Sequence, residues 1–176
     1  MRKSKQFIYR KLSMSLSLFL AFNCILIPTV NVNAASIRIS GWVLIDSGKH
    51  MDWKSDSKYS SELKTAIDKW NAYKPGVIRK KTSKTKLDVT ITDCYEISTY
   101  AGFTYKSGKI TFNKYFMDDA GFNNAYRVNV CLHELGHALG LAHNQSTDVM
   151  YKNVTSNVTL TSNDKGSYDH SMMRVC

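Results

Sequence analysis

The stretch that decides the fold is Cys131-Leu132-His133-Glu134-Leu135-Gly136-His137-Ala138-Leu139-Gly140-Leu141-Ala142-His143. Residues four apart on a helix share a face, so the His133 and His137 imidazoles project side by side, about one turn apart. That spacing lets both bind one metal ion, and Glu134 lies beside them, placed to take a proton from a water activated there. Gly140 is where the helix can end, because glycine accepts the left-handed conformation that turns the chain. The turn brings His143 back as a third ligand. Three imidazoles and one open position make a catalytic zinc site, whereas structural zinc sites are closed by four protein ligands.

His133-Glu134-x-x-His137-x-x-Gly140-x-x-His143 resembles the metzincin zinc signature, and Met150 follows where that family has its Met-turn. The resemblance implies a zinc endopeptidase with an α+β fold: a zincin with a mixed twisted sheet, a backing helix, an active-site helix and a C-terminal helix. It implies one catalytic Zn2+ held by His133, His137 and His143, with Glu134 as general base and acid and with Gly140 and Met150 in support. An upper subdomain, about residues 35–143, and a lower one, about 144–176, are expected to flank the cleft. Asp148-Val149-Met150-Tyr151 is similar to the turn of the matrix-metalloproteinase-like, or matrixin-like, branch, whose methionine packs beneath the zinc without coordinating it. In astacin-like and serralysin-like members a Tyr two residues past the methionine helps the zinc. Lys152 stands there in this chain, and Tyr151 is assigned no catalytic role.

The start of the chain reads as a leader. Arg2, Lys3, Lys5, Arg10 and Lys11 precede an apolar run from Leu12 to Val30, and Val32-Asn33-Ala34 supplies the small residues of a cleavage site. Ser13, Ser15, Ser17 and Asn23 interrupt the run, which favours a cleaved signal peptide over residues 1–34 above a membrane anchor. A secreted or cell-surface-associated protein follows, with no stable membrane insertion after cleavage.

The formal charge of +10 includes the five basic residues of the leader, which has no acidic ones, so +5 remains on residues 35–176. That length suits a single metallopeptidase domain with its own core. The modest basic excess does not indicate nucleic-acid binding. Lys80, Lys81, Lys84 and Lys86 read as a solvated turn. Cys94, Cys131 and Cys176 leave at least one thiol unpaired within a monomer. Cys131 reads as a small buried apolar residue, and a Cys94–Cys131 bridge stays open.

Ile37–Ile45 alternates loosely and reads as a first strand, with His50–Tyr59 a polar loop. A helix is expected from Ser60, capped by Ser60 or Ser61, with Leu63, Ala66, Ile67 and Trp70 at helical spacing and its end near Tyr73. Ala66-Ile67-Asp68-Lys69-Trp70-Asn71 is similar to the metzincin backing helix. Val77–Lys81 and Leu87–Cys94 read as strands, and Ala101–Tyr105 with Lys109–Asn113 as a hairpin turning at Ser107-Gly108. By resemblance one strand of this pair, Ala101–Tyr105 by preference, is the edge that holds an extended peptide or protein substrate by strand addition. Asp118–Asn124 lacks a recognisable calcium-loop pattern and reads as a turn, so calcium is left unassigned. Asn123 or Asn124 can cap the active-site helix, from about Ala125 to Gly140. Thr161 and Asp164 have nearly the spacing of a capping box for the last helix. By resemblance, residues 152–161 line the pocket for the side chain after the cleaved bond. The triplets beginning at Asn144, Asn153 and Asn157 match the glycosylation pattern and are taken as incidental.

No cysteine between the leader and the first helix matches the cysteine switch of matrixins, so the expectation is an enzyme with little or no propeptide. Control is then expected from export, from a proteinaceous inhibitor, or from substrate supply. A monomer is expected. The rival reading is a secreted binding or toxin-like protein with narrow or no proteolysis.

Overall fold

The structure, a computed structural model, describes residues 34–175. The expected leader, apart from Ala34, and Cys176 lie outside the described residues. The elements run β1 (Met51–Ser55), α1 (Ser60–Tyr73), β2 (Ile78–Lys80), β3 (Val89–Cys94), β4 (Gly102–Tyr105), β5 (Lys109–Asn113), α2 (Lys114–Met117), α3 (Asn124–Ala138) and α4 (Ser162–Met172). The expected α+β class is present: one mixed five-stranded sheet with helices packed against it.

The sheet order is β2-β1-β3-β5-β4. All neighbours are parallel except β4, which pairs antiparallel with β5. The hairpin forms where Ser107-Gly108 indicated, and Gly108 takes a φ of 84°, which a side chain would resist. β4 is therefore one of the two edge strands, with β2 the other, and one row of its backbone groups has no partner in the sheet.

Two expectations about the first part of the chain fail, for connected reasons. Residues 37–45 do not form a strand; only Ile39 makes an isolated bridge, to Leu141. Their backbone instead serves the end of α3 and the segment that follows. Ser40 N–H donates to Gly140 O and Leu44 N–H to Ala138 O, both at 2.8 Å, so carbonyls that a helix terminus leaves unpaired are satisfied. The first strand is β1, inside the stretch expected to be a polar loop. Asp52 hides it: its carboxylate is buried and accepts from Arg79 Nη2 at 2.6 Å on the neighbouring strand. A cross-strand ion pair cannot be read from a hydrophobic pattern.

α1 buries Leu63, Ala66, Ile67 and Trp70 as its spacing required. Its cap is Tyr59, with no side-chain cap bond, and Ser60 and Ser61 lie within the first turn. α1 and α3 pack together, and Trp70 Nε1–H donates to the Leu132 carbonyl at 3.2 Å. Val89, Ile91, Ile110 and Phe112 of the sheet close the core with Leu132 and Leu135 of α3. Tyr168 of α4 stacks on Trp70 with ring centroids 5.9 Å apart, which ties the last helix to the backing helix.

α2 was not anticipated; Asn113 caps this single turn by accepting from Tyr115 N–H. The Asp118–Asn124 segment is a turn. Asp118 bonds Lys58 and Tyr59, Asp119 accepts from Gly121 N–H, and Asn123 caps α3 by accepting from the Ala125 and Tyr126 N–H groups. Cys94 and Cys131 are free thiols, so the open question of their bridge closes against it.

Candidate metal centre and active site

The terminus of α3 builds the centre. Leu139 caps the helix, and Gly140 follows with a φ of 88°. Gly140 N–H donates to His137 O at 2.9 Å and Leu141 N–H to Gly136 O at 3.0 Å, the paired bonds of a Schellman stop. The chain leaves the helix at that point, and His143 comes back over the His133–His137 face.

The three imidazoles meet. Ring centroids lie 4.6 Å apart for His133 and His137, 5.1 Å for His133 and His143, and 4.9 Å for His137 and His143. His133 Nδ1 lies 2.9 Å from Val149 O, and His137 Nδ1 3.0 Å from Leu141 O. A carbonyl can only accept, so each Nδ1 carries the proton and each Nε2 keeps its lone pair for the cleft. His137 Nε2 and His143 Nε2 stand 3.3 Å apart, and one ring nitrogen from each of the three lies within 4.8 Å of the others. Nitrogens about 2.0–2.1 Å from a tetrahedral zinc are separated by roughly 3.3–3.4 Å, and the His137–His143 spacing of 3.3 Å matches that ion.

Electrostatics point the same way. Burial, and then the neighbouring His137, pull the His133 ring down to about 3. Burial pulls His137 down to about 4 and lowers His143 as well. These rings are neutral at ordinary pH, which is the form that binds a metal. Among the described residues this is the one cluster of three or more His, Cys, Asp or Glu with converging ligand atoms.

Glu134 is buried at 6 % exposure and lies in the same cleft. Its Oε2 accepts from Thr104 Oγ1 of β4 at 2.6 Å. Burial pushes its carboxyl up to about 7, with the Thr104 hydrogen bond acting in the opposite direction. A carboxyl near that value can both take and return a proton at neutral pH.

Met150 lies at 1 % exposure under the helix. A side chain on Gly136 would overlap Met150 Sδ, so the missing side chain is what lets the methionine reach the helix. The turn is held from below: Asp164 accepts from Val149 N–H at 3.1 Å and Met150 N–H at 3.2 Å. The same carboxylate closes the capping box of α4 with Thr161.

The cleft encloses about 680 Å³ between β4, α3 and the segment after Met150. Asn129, buried at its floor, donates from Nδ2 to Asn157 O at 2.6 Å and accepts from Thr155 N–H at 3.1 Å. It thereby braces the stretch expected to wall a side-chain pocket, of which Lys152, Asn153 and Val154 line the cleft.

Sequence reading identified the histidines, Glu134, Gly140 and Met150, and the structure brings all of them to this one place. It missed Thr104, Gly136 and Asn129, and the second use of Asp164. Only Gly136 left a signal. Glycine inside a helix costs about 1 kcal/mol against alanine, so its presence there marks a close approach.

The family model described as Matrixin matches residues 101–170, from β4 through most of α4. No curated protein matches the chain.

Proposed function

We infer, from the match of residues 101–170 to the Matrixin family and the converging histidines, that the chain is a matrixin-like metzincin and a zinc metallopeptidase, and from that premise we propose a secreted zinc endopeptidase. The observation that carries the reading is the convergence of three neutral imidazoles with a buried carboxyl beside an unpaired sheet edge.

His133, His137 and His143 are the residues that would hold zinc. When bound, the ion supplies Lewis acidity to a scissile carbonyl and acidifies water in the cleft. The free edge of β4 seats an extended peptide by strand addition, which fixes the carbonyl along the cleft. Glu134 takes the proton from the attacking water on its carboxylate and then delivers it to the departing amine nitrogen. Met150, seated on Gly136, supports the floor beneath His133 and His137. The stretch braced by Asn129 receives the side chain after the cleaved bond.

Export belongs to the same reading: residues 1–34 act as a signal peptide and residues 35–176 as the catalytic domain. The substrate is an extended peptide or protein, and a proteinaceous inhibitor is a fitting regulator of a monomeric enzyme.

The test is cleavage of a peptide library by residues 35–176, with and without a chelator, beside Glu134→Gln. Chelator-sensitive cleavage that disappears in the variant is the expected result. Cleavage retained in Glu134→Gln overturns the mechanism. One zinc bound per chain with no cleavage turns the reading towards a binding or toxin-like protein.

A further inference from the structure

The zinc signature specifies Glu134 but not what aims it. Buried on α3, Glu134 has no charged partner among the described residues. Its side-chain hydrogen bond there is to Thr104, whose Oγ1 lies 2.6 Å from Oε2 and 2.9 Å from the Glu134 carbonyl oxygen. A hydroxyl has one proton to donate, and the shorter, charge-assisted contact is the stronger claim on it.

Thr104 suits this task. It is buried at 8 % exposure, β-branched and hence stiff at χ1, and fixed by the Thr104–Ile110 pairing of β4 with β5. Gly102 lies two residues earlier on the same face of the strand. A side chain there would place its first carbon 2.9 Å from Glu134 Cγ and 3.1 Å from Oε1. One strand thus supplies a donor for Oε2 and the space in which Oε1 stays uncrowded.

We propose that Thr104 is a positioning residue for Glu134: its hydroxyl locks the carboxylate so that Oε1 is the oxygen presented to the attacking water. The inference rests on the peptidase reading. It adds that β4, the strand offered to the substrate, also aims the base, so peptide and base share one rigid frame. Misplacing a reacting group by about 1 Å can cost on the order of 100-fold in rate, so a single hydroxyl is enough to matter.

The experiment expresses the full chain as wild type, Thr104→Val and Thr104→Ser. It measures peptide cleavage, bound zinc, the thermal midpoint and the crystal structure of the valine variant. Thr104→Val keeps the shape and removes the donor. Its kcat is expected to fall about 10- to 100-fold with KM nearly unchanged, while Thr104→Ser recovers most of the rate. Zinc content stays at the wild-type value, the midpoint falls by only a few degrees for the lost buried hydrogen bond, a loss that serine restores, and the Glu134 carboxylate moves in the crystal. Unchanged kcat in Thr104→Val, a loss that serine fails to rescue, or an effect confined to KM overturns the proposal. Should the valine variant not fold, Thr104→Ala is read by the same criteria. If the wild type cuts nothing, the peptidase reading fails, and the crystal structure decides this point alone: an unmoved carboxylate overturns it.

Discussion

At the scale of single residues, the centre depends on atoms that are absent as much as on those present. Gly136 admits Met150 beneath the histidines, and Gly136→Ala forces sulfur and helix apart. Overpacking of this kind costs about 1–3 kcal/mol, to be read as a lower unfolding free energy in denaturant. An unchanged value means the methionine has room to move aside. Titration supplies a second prediction, for protein kept metal-free with a chelator. Between about pH 4.5 and 6.5 the unfolded chain protonates His133 and His137, whose ordinary value is 6.5, while the folded chain holds them near 3 and 4 and keeps them neutral. In the same window the folded chain protonates Glu134, held near 7, and the unfolded chain does not. Two protons taken up by the unfolded state outweigh one by the folded state. Stability therefore falls with falling pH across that window, by up to about 1.4 kcal/mol per pH unit from these groups. Denaturant unfolding at pH 6.5 and 5.0 checks the sign, and a rise on acidification excludes neutral, buried imidazoles.

At the scale of elements, α4 is coupled to the metal centre through one carboxylate. Asp164 caps its own helix and accepts from the two N–H groups at the Met-turn. Asp164→Ala leaves those donors buried and unpaired, and about 2–4 kcal/mol of stability is expected to go, since hydrogen bonds to charged groups are worth roughly 1.5–3 kcal/mol each and do not add fully. Zinc affinity should weaken in the same variant, because the Val149 carbonyl that orients His133 belongs to this turn. Thermal melting with and without zinc measures both. A stable variant with full zinc affinity removes Asp164 from the account. The capping box was legible in the sequence because caps are local. The second use of the same carboxylate joins residues 14 and 15 positions apart, and local spacing carries no record of that.

At the scale of the whole molecule, a ligand that binds only the folded state raises its stability by RT ln(1 + [L]/Kd). Zinc at 100 times its dissociation constant is thus expected to add about 2.7 kcal/mol and to raise the melting temperature of residues 35–176. Ala replacement of His133, His137 or His143 should abolish that rise. A rise that survives all three replacements places the metal elsewhere. The sequence by itself placed the candidate centre: the histidine spacing, the helix stop and the neighbouring Glu134 are set by the period of one helix and one glycine, and they needed no distant partner to be read. It also marked β3, the β4–β5 hairpin and α1, whose apolar alternation or helical spacing reports burial directly. Only the tertiary structure decided that residues 37–45 lace the end of α3, that β1 carries a buried Asp52 paired with a half-buried Arg79 of the next strand, and that Thr104 meets Glu134. Each is a contact between polar groups remote in the chain, and such groups become complementary only once the fold has excluded water from around them.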